Sequence, residues 1–245
     1  MNHPPVEAYE ELDSTNAEAR RRAEAGDAGP VWITARRQTA GRGRRGRAWS
    51  TESGNLAATL LFVTDKPAAE AAQVSFIAAL AAADLAQTCL GAGAARIKWP
   101  NDLLVYGRKA VGILVESGAR ADGRLWMAVG IGVNLAHAPQ DVERPATAFS
   151  EHMASPPPTP LDALEVLAAA FERWRLAWER DGFGPIAAAW TERAVGLGEP
   201  CVARLPSATL SGLAEGLDLD GALKLRLSDG TVARITAGDV FFGEG

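Results

Sequence analysis

Apolar and polar positions follow different rhythms along this chain. Residues 31–35 and 125–133 read as strands, and residues 55–63 as a strand buried on both faces. Residues 68–90 are alanine-rich and apolar nearly all round. They predict one long helix under a sheet, ending near Gly91. Residues 161–180 set Leu164, Leu167, Phe171, Trp174 and Trp178 on one side of an amphipathic helix. A shorter helix over 185–193 has Pro185 in its first turn. Near the start, Thr15-Asn16-Ala17-Glu18 reads as a capping box. It opens a helix that runs to Ala25 and stops at Gly26. Residues 96–116 read as two strands about a turn at Tyr106-Gly107.

The rhythm changes after Gly196. Short runs at 201–205, 210–217, 223–227, 231–235 and 240–242 alternate with turns, and Asp220-Gly221 and Asp229-Gly230 are hairpin signals. This predicts a small all-β module, a barrel of the SH3-like kind. Ser155-Pro156-Pro157-Pro158-Thr159-Pro160 excludes regular structure and marks an exposed connection. The chain is therefore expected to divide into residues 1–195, with helices and strands, and residues 196–245, all β. The fold class is α+β.

Composition narrows the function. The 245 residues carry 25 basic and 30 acidic side chains, a formal charge of −5, and 47% are hydrophobic, enough to fill a core. No run of about 18 apolar residues predicts a membrane span, and no signal peptide is evident. Cys89 and Cys201 form no ligand pair, and His3, His137 and His152 lack metal-ligand spacing. The expectation is a soluble, cytoplasmic protein with no metal held directly by its side chains. Only four of the 25 basic residues are lysines: Lys66, Lys98, Lys109 and Lys224. In a chain that otherwise uses arginine, each lysine stands out.

Several segments can carry chemistry. Gly41-Arg42-Gly43-Arg44-Arg45-Gly46-Arg47-Ala48-Trp49 combines glycines, which let a backbone approach a ligand, with arginine forks suited to phosphate or carboxylate. Such a loop of like charges is expected to stay mobile until an anion neutralises it. Its G-x-G-x-x-G opens onto no helix and no Lys-Ser/Thr follows, so neither the dinucleotide fingerprint nor a Walker loop applies. A solvated basic loop or a nucleic-acid patch fits the same residues. Lys98-Trp99-Pro100-Asn101-Asp102 sets polar groups at a strand end, or is a plain turn. Lys109, ahead of Gly112-Ile113-Leu114-Val115-Glu116, either snorkels to water or enters a pocket as a point charge for carboxylate and phosphate. Gly130-Ile131-Gly132-Val133-Asn134 is a bulge or a point of close ligand approach. Asp13-Ser14-Thr15-Asn16 is a helix start that also presents free N–H groups.

Taken in order, Ser14-Thr15-Asn16, Gln38, the arginine loop with Trp49, Lys98 to Asp102, Lys109 to Glu116 and Gly130 to Asn134 resemble the biotin–protein ligases. The resemblance covers most of residues 11–135. It implies a mixed sheet with helices packed on one side, as in class II aminoacyl-tRNA synthetases and lipoate ligases. It also implies a two-step reaction. Biotin and MgATP give biotinyl-5′-AMP and pyrophosphate, and a lysine of a biotin carboxyl carrier domain then attacks the anhydride. Biotin's own carboxylate is the nucleophile, so the demand is for positioning and positive charge.

By resemblance, Ser14, Thr15, Asn16 and Gln38 bind the biotin head group, and Gly112 also lies against biotin. Arg42, Gly43 and Arg44 close over the intermediate, and Lys109 bridges the biotin carboxylate and the α-phosphate. Arg47, Trp49 and Asn134 meet the nucleotide, Trp49 as a cover and Asn134 at the adenine, and Asn101 meets the nucleotide or its metal. Asp102 steers or deprotonates the incoming lysine. Catalysis then rests on Lys109, Arg42, Arg44 and Asp102. Only 13 residues precede Ser14, so the DNA-binding domain of some members is expected to be absent, and with it any repressor function. The expected partners are the carrier domain, biotin and ATP, with no nucleic acid or membrane, for a monomer or homodimer. A lipoate or octanoyl transferase would need a Gly-Gly-Gly-rich loop that is missing. A nucleic-acid module is opposed by four basic against seven acidic residues in 199–245.

Overall fold

The computed structural model describes residues 3–140 and 145–243. The first part of the chain forms β1 (Val6–Leu12), α1 (Thr15–Glu24), β2 (Val31–Gln38), β3 (Leu56–Thr64), α2 (Ala68–Ala71), α3 (Val74–Leu90), β4 (Ala95–Lys98), β5 (Asp102–Val105), β6 (Arg108–Ala119), β7 (Leu125–Val133), α4 (Pro160–Asp181) and α5 (Phe183–Arg193). Its strands make one sheet in the order β1-β2-β3-β7-β6-β5-β4. β1 and β2 run parallel; the other pairs are antiparallel.

Side chains alternate across this sheet as strand geometry requires. Trp32, Ala58 and Leu60 face a core shared with Phe76, Ile77, Leu80 and Leu85 of α3 and with Leu164, Leu167 and Phe171 of α4. Val31, Ile33 and Leu61 face the opposite side, where Ala19 and Ala23 of α1 cover them. The helices therefore lie on both faces, not on one: α1 covers a second, smaller core with the small side chains Ala19 and Ala23. By length and composition, residues Ala68–Leu90 could cross a bilayer, but most of that stretch is buried beneath the sheet. Each large apolar side chain placed there contributes about 1.5–3 kcal/mol.

Several boundaries differ from the sequence reading: β1 is a strand it lacks, and α4 opens at Pro160, inside the proline-rich stretch, with Thr159 as its N-cap. The N-cap of α1 is Ser14, whose hydroxyl accepts from the Ala17 N–H at 3.4 Å. Glu18 pairs with Arg21 and Arg22 rather than closing a capping box. The stretch 68–90 is two helices, because tight turns from Gln73 to Glu70, Ser75 to Ala72 and Phe76 to Gln73 replace the regular ladder. Residues 96–116 hold three strands, because Pro100 cannot donate to a ladder and a second turn forms at residues 99–101.

The C-terminal part forms β8 (Pro200–Arg204), β9 (Thr209–Leu217), β10 (Leu223–Arg226), β11 (Val232–Ile235) and β12 (Asp239–Phe242). They pair in the order β11-β10-β9-β8-β12. Among the described residues no pairing joins the two outer strands, so the strands pair as an open five-stranded sheet. It is attached to the first part by the Trp99 indole N–H, which donates to the Gly221 carbonyl at 3.2 Å.

Candidate active site

The register of the large sheet explains where a cleft can open. Ala57, Gly132 and Gly112 stand in one row across β3, β7 and β6; Thr59, Gly130 and Leu114 form the next; Leu61, Ala128 and Glu116 form the third. Leu61 and Ala128 in the third row pack against α1. The first two rows are mostly small and leave a cleft of about 350 Å³. The indole of Trp49 lies against the first row. A Cβ on Gly132 would fall 2.4 Å from the ring and one on Gly112 2.7 Å from it, so only glycine admits this packing.

Lys109 reaches the same face through a bulge. Leu103 pairs with Val111 and Leu104 with Lys109, so β6 holds one extra residue, Ala110. Ala110 and Val111 both face the core, and Lys109 lines the cleft with Gly112. Its Nζ lies 2.6 Å from Asp102 Oδ1 and 5.6 Å from the centre of the Trp49 ring. Asp102 comes from the start of β5, directly after the Pro100 turn.

The helix start forms one end of the cleft. The Thr15 N–H and hydroxyl donate to Gln38 Oε1 at 2.8 and 3.2 Å, and Gln38 Nε2 donates to Thr51 Oγ1 at 2.9 Å. The fully buried Thr59 hydroxyl lies 2.8 Å from Thr15 Oγ1 and 2.7 Å from Asn16 Oδ1. Asn16 Nδ2 donates to Glu116 Oε2 at 2.8 Å and to the Leu114 carbonyl at 3.2 Å. Ser14, Thr15 and Asn16 are all buried. Hydroxyls and amides at a helix start, with no net charge, suit a neutral polar ligand rather than an ion.

The arginine loop bounds the other side. It is a folded hairpin: Gly43 N–H donates to the Arg47 carbonyl at 2.7 Å and Trp49 N–H to the Gly41 carbonyl at 2.9 Å. Two carboxylates of the protein offset part of its positive charge. Arg45 Nη1 and Arg47 Nη2 lie 2.8 and 3.1 Å from the two oxygens of Asp239 on β12, and Arg42 Nη2 lies 3.8 Å from Glu116. Arg44 turns inward, and its Nη1 donates to Asn101 Oδ1 at 3.0 Å. Burial pulls the Arg44 guanidinium below its ordinary value, against the opposing pull of Asp239 and Asp102. It remains a cation near neutrality.

Every candidate residue lines this cleft: Ser14, Thr15, Asn16, Gln38, Arg42, Gly43, Arg44, Arg47, Trp49, Asn101, Asp102, Lys109, Gly112 and Asn134. Asn101 also donates to the Ile113 carbonyl, so its amide is occupied in holding Arg44. Asn134 Nδ2 donates to the Thr147 carbonyl at 3.1 Å. Lys98 faces the other way, 5.7 Å from the Phe241 ring and 5.9 Å from Phe242, and joins the two parts of the chain. The sequence reading missed Thr59, Glu116 as a contact of Asn16, and Asp239 with Val240. Thr59 had a signal, as a polar residue within the apolar run 55–63. Asp239 had none, since its partners lie far away in sequence. Among the described residues no group of three His, Cys, Asp or Glu side chains could hold a metal.

The sequence profile of the biotin/lipoate A/B protein ligase family matches residues 11–134. This chain belongs to that family. The ligase also matches the biotin protein ligase C-terminal domain over residues 196–243. It is 46% identical to the biotin–[acetyl-CoA-carboxylase] ligase of Paracoccus denitrificans, over 94% of this chain and 98% of that one. It is 30% identical to the bifunctional ligase/repressor of Bacillus subtilis, over 96% of this chain and 73% of that protein. Among solved structures, the ligase superposes on the Aquifex aeolicus biotin protein ligase in complex with biotin and ATP with a TM-score of 0.81, at 23% identity and covering 97% and 98% of the two chains. The biotin protein ligase of Leishmania major with biotinyl-5-AMP gives a TM-score of 0.65 at 26% identity, covering 96% and 99%.

Proposed function

We propose that this ligase joins biotin to a lysine of a biotin carboxyl carrier domain, at the expense of ATP, in the cytoplasm. The observation that carries the reading is the convergence of five separate segments on one cleft that pairs a neutral, hydrogen-bonding end with a cationic loop. In the first step a carboxylate oxygen of biotin attacks the α-phosphorus, and the bond to the β-phosphate oxygen breaks, releasing pyrophosphate. The barrier is the approach of two anions, so Lys109, Arg42 and Arg44 contribute by holding positive charge where they meet. In the second step the carrier amine attacks the acyl carbon, AMP leaves, and the amine proton passes to Asp102.

Ser14, Thr15, Asn16 and Gln38 take the biotin head group, with biotin running along Gly112 beneath Arg42 and Gly43. Arg47, Trp49 and Asn134 take the nucleotide, and Asn101 acts through Arg44. Mg2+ enters as part of MgATP. The cleft carboxylates Asp102 and Asp239 already face cations, which suits a metal held by phosphates and water rather than by the protein. Residues 1–195 form the catalytic unit and residues 196–245 a unit of SH3-like descent. The return of β12 beside β8 supports that kinship.

The test is transfer of biotin to a purified carrier domain, followed by mass. An increment of one biotinyl group that requires ATP is expected. No incorporation at saturating biotin and ATP would overturn the reading.

A further inference from the structure

We propose that Glu116 is a positioning residue for the head-group end of the cleft: it sets which way the Asn16 amide faces. This deepens the biotin reading and rests on it. Asn16 is 4% exposed and has little room to turn, since a Cβ on the neighbouring Gly130 would fall 2.1 Å from Asn16 Oδ1. A primary amide offers two N–H donors and one acceptor oxygen. Both donors of Asn16 are taken by groups that can only accept: Glu116 Oε2 at 2.8 Å and the Leu114 carbonyl at 3.2 Å. Its oxygen meets the Thr59 hydroxyl at 2.7 Å.

A flipped amide would set its oxygen against two acceptors, the Glu116 carboxylate and the Leu114 carbonyl. The charged partner makes this lock strong, because hydrogen bonds to a carboxylate are about twice as strong as neutral ones. What Asn16 can still offer is a lone pair on Oδ1. A ligand meeting it must therefore donate an N–H, as the cyclic urea of biotin does. The second carboxylate oxygen of Glu116 lies 3.8 Å from Arg42 Nη2, so one side chain links the head-group end with the arginine loop. Glu116 reaches this position because its row of the sheet lies at the edge of the α1 cover, beside Leu61 and Ala128.

The test is calorimetric binding of biotin to the full chain and to four variants, with circular dichroism as the check on folding. Glu116→Ala is expected to weaken biotin about tenfold, the loss of one charge-assisted hydrogen bond, with KM for ATP within roughly threefold. Asn16→Ala combined with Glu116→Ala is expected to bind no more weakly than Asn16→Ala alone, by about twofold at most, because Glu116 acts through Asn16. Glu116→Gln keeps an acceptor for Asn16 Nδ2 but gives up the charge, and is expected to bind biotin between the parent and Glu116→Ala, about threefold below the parent.

Parental affinity in Glu116→Ala, additive losses in the double variant, or a Glu116→Gln variant as weak as Glu116→Ala would each overturn the proposal. If Glu116→Ala does not fold, Glu116→Gln decides alone: a loss of about tenfold or more there refutes the lock. A parent protein that binds no biotin brings down the underlying reading as well. A parent that binds, with variants that match it, brings down only this one.

Discussion

Lys109 Nζ lies 2.6 Å from Asp102 Oδ1, with the aspartate side chain 11% exposed. Each group of the pair balances the charge of the other. An anion that draws the lysine toward itself leaves the carboxylate free, on the same cleft wall, to receive a proton. One contact thus links the group proposed for the first step with the group proposed for the second.

Lys109→Ala removes the only lysine that lines the cleft among the described residues. The neighbouring arginines are held by Asn101, Asp239 and Glu116 and cannot take its place. Biotin-dependent exchange of pyrophosphate into ATP is expected to fall by about 100-fold or more, the scale of losing one electrostatic group from a reaction centre. Exchange at the parental rate would rule out the role.

The loop is tied down at Arg44 by Asn101 and at Arg45 and Arg47 by Asp239. Arg44→Ser is expected to leak biotinyl-adenylate, and Asp239→Ala to do the same from the opposite anchor. Each should release it roughly tenfold faster, for the loss of a charged hydrogen bond. The readout is labelled intermediate escaping into solution, or biotin appearing on lysines of bystander proteins. Release no faster than in the parent would show that these contacts do not hold the loop closed.

Gly132→Ala sets a methyl group where the Trp49 indole now packs. Overpacking of this kind costs about 1–3 kcal/mol, and here the ring can escape only by leaving its row. KM for ATP is expected to rise about tenfold, with a smaller loss of biotin affinity, because biotin meets this row only at Gly112 and its head-group end lies along a different one. Equal losses for both ligands would argue that the whole cleft had collapsed.

Asp13 accepts both arms of the Arg21 fork at 2.8 Å and the Ser14 N–H at 2.7 Å. Arg21 first, and the backbone N–H after it, hold the carboxyl at about 2, below its ordinary 3.8. A depressed carboxyl stabilises the fold above the unfolded value and loses that contribution as pH falls from about 4 to about 2. The side chain is 45% exposed, so the stabilisation at neutral pH is expected to be under about 1 kcal/mol. Urea unfolding should find Asp13→Asn less stable than the parent at pH 7 and equal to it near pH 2. A difference that persists at the lower pH would remove the charge from the explanation.

Local pattern was enough for much of this protein. Leu125–Val133 is a strand with the bounds read from its apolar run, and the stripe from Leu164 to Trp178 is the packed side of α4 apart from the half-buried Trp174. Periodicity works there because burial alone decides those positions. The cleft residues were legible for a different reason: their order along the chain resembles that of the biotin–protein ligases, while each segment by itself also reads as a turn, a bulge or a solvated loop.

The remaining features depend on neighbours distant in the chain. The bulge that turns Lys109 inward exists only in the pairing of β6 with β5. The break after α2 depends on turn geometry that composition does not encode. The placement of α1 on the second face follows from which side of β2 and β3 was left uncovered. Asp239 reaches the arginine loop across 192 residues to Arg47. By itself the sequence determined which residues would be buried, charged or flexible in backbone, since those are properties of single side chains and short periods. Only the tertiary structure decided which of them meet, because register, bulges and the docking of one sheet on another are set by long-range packing.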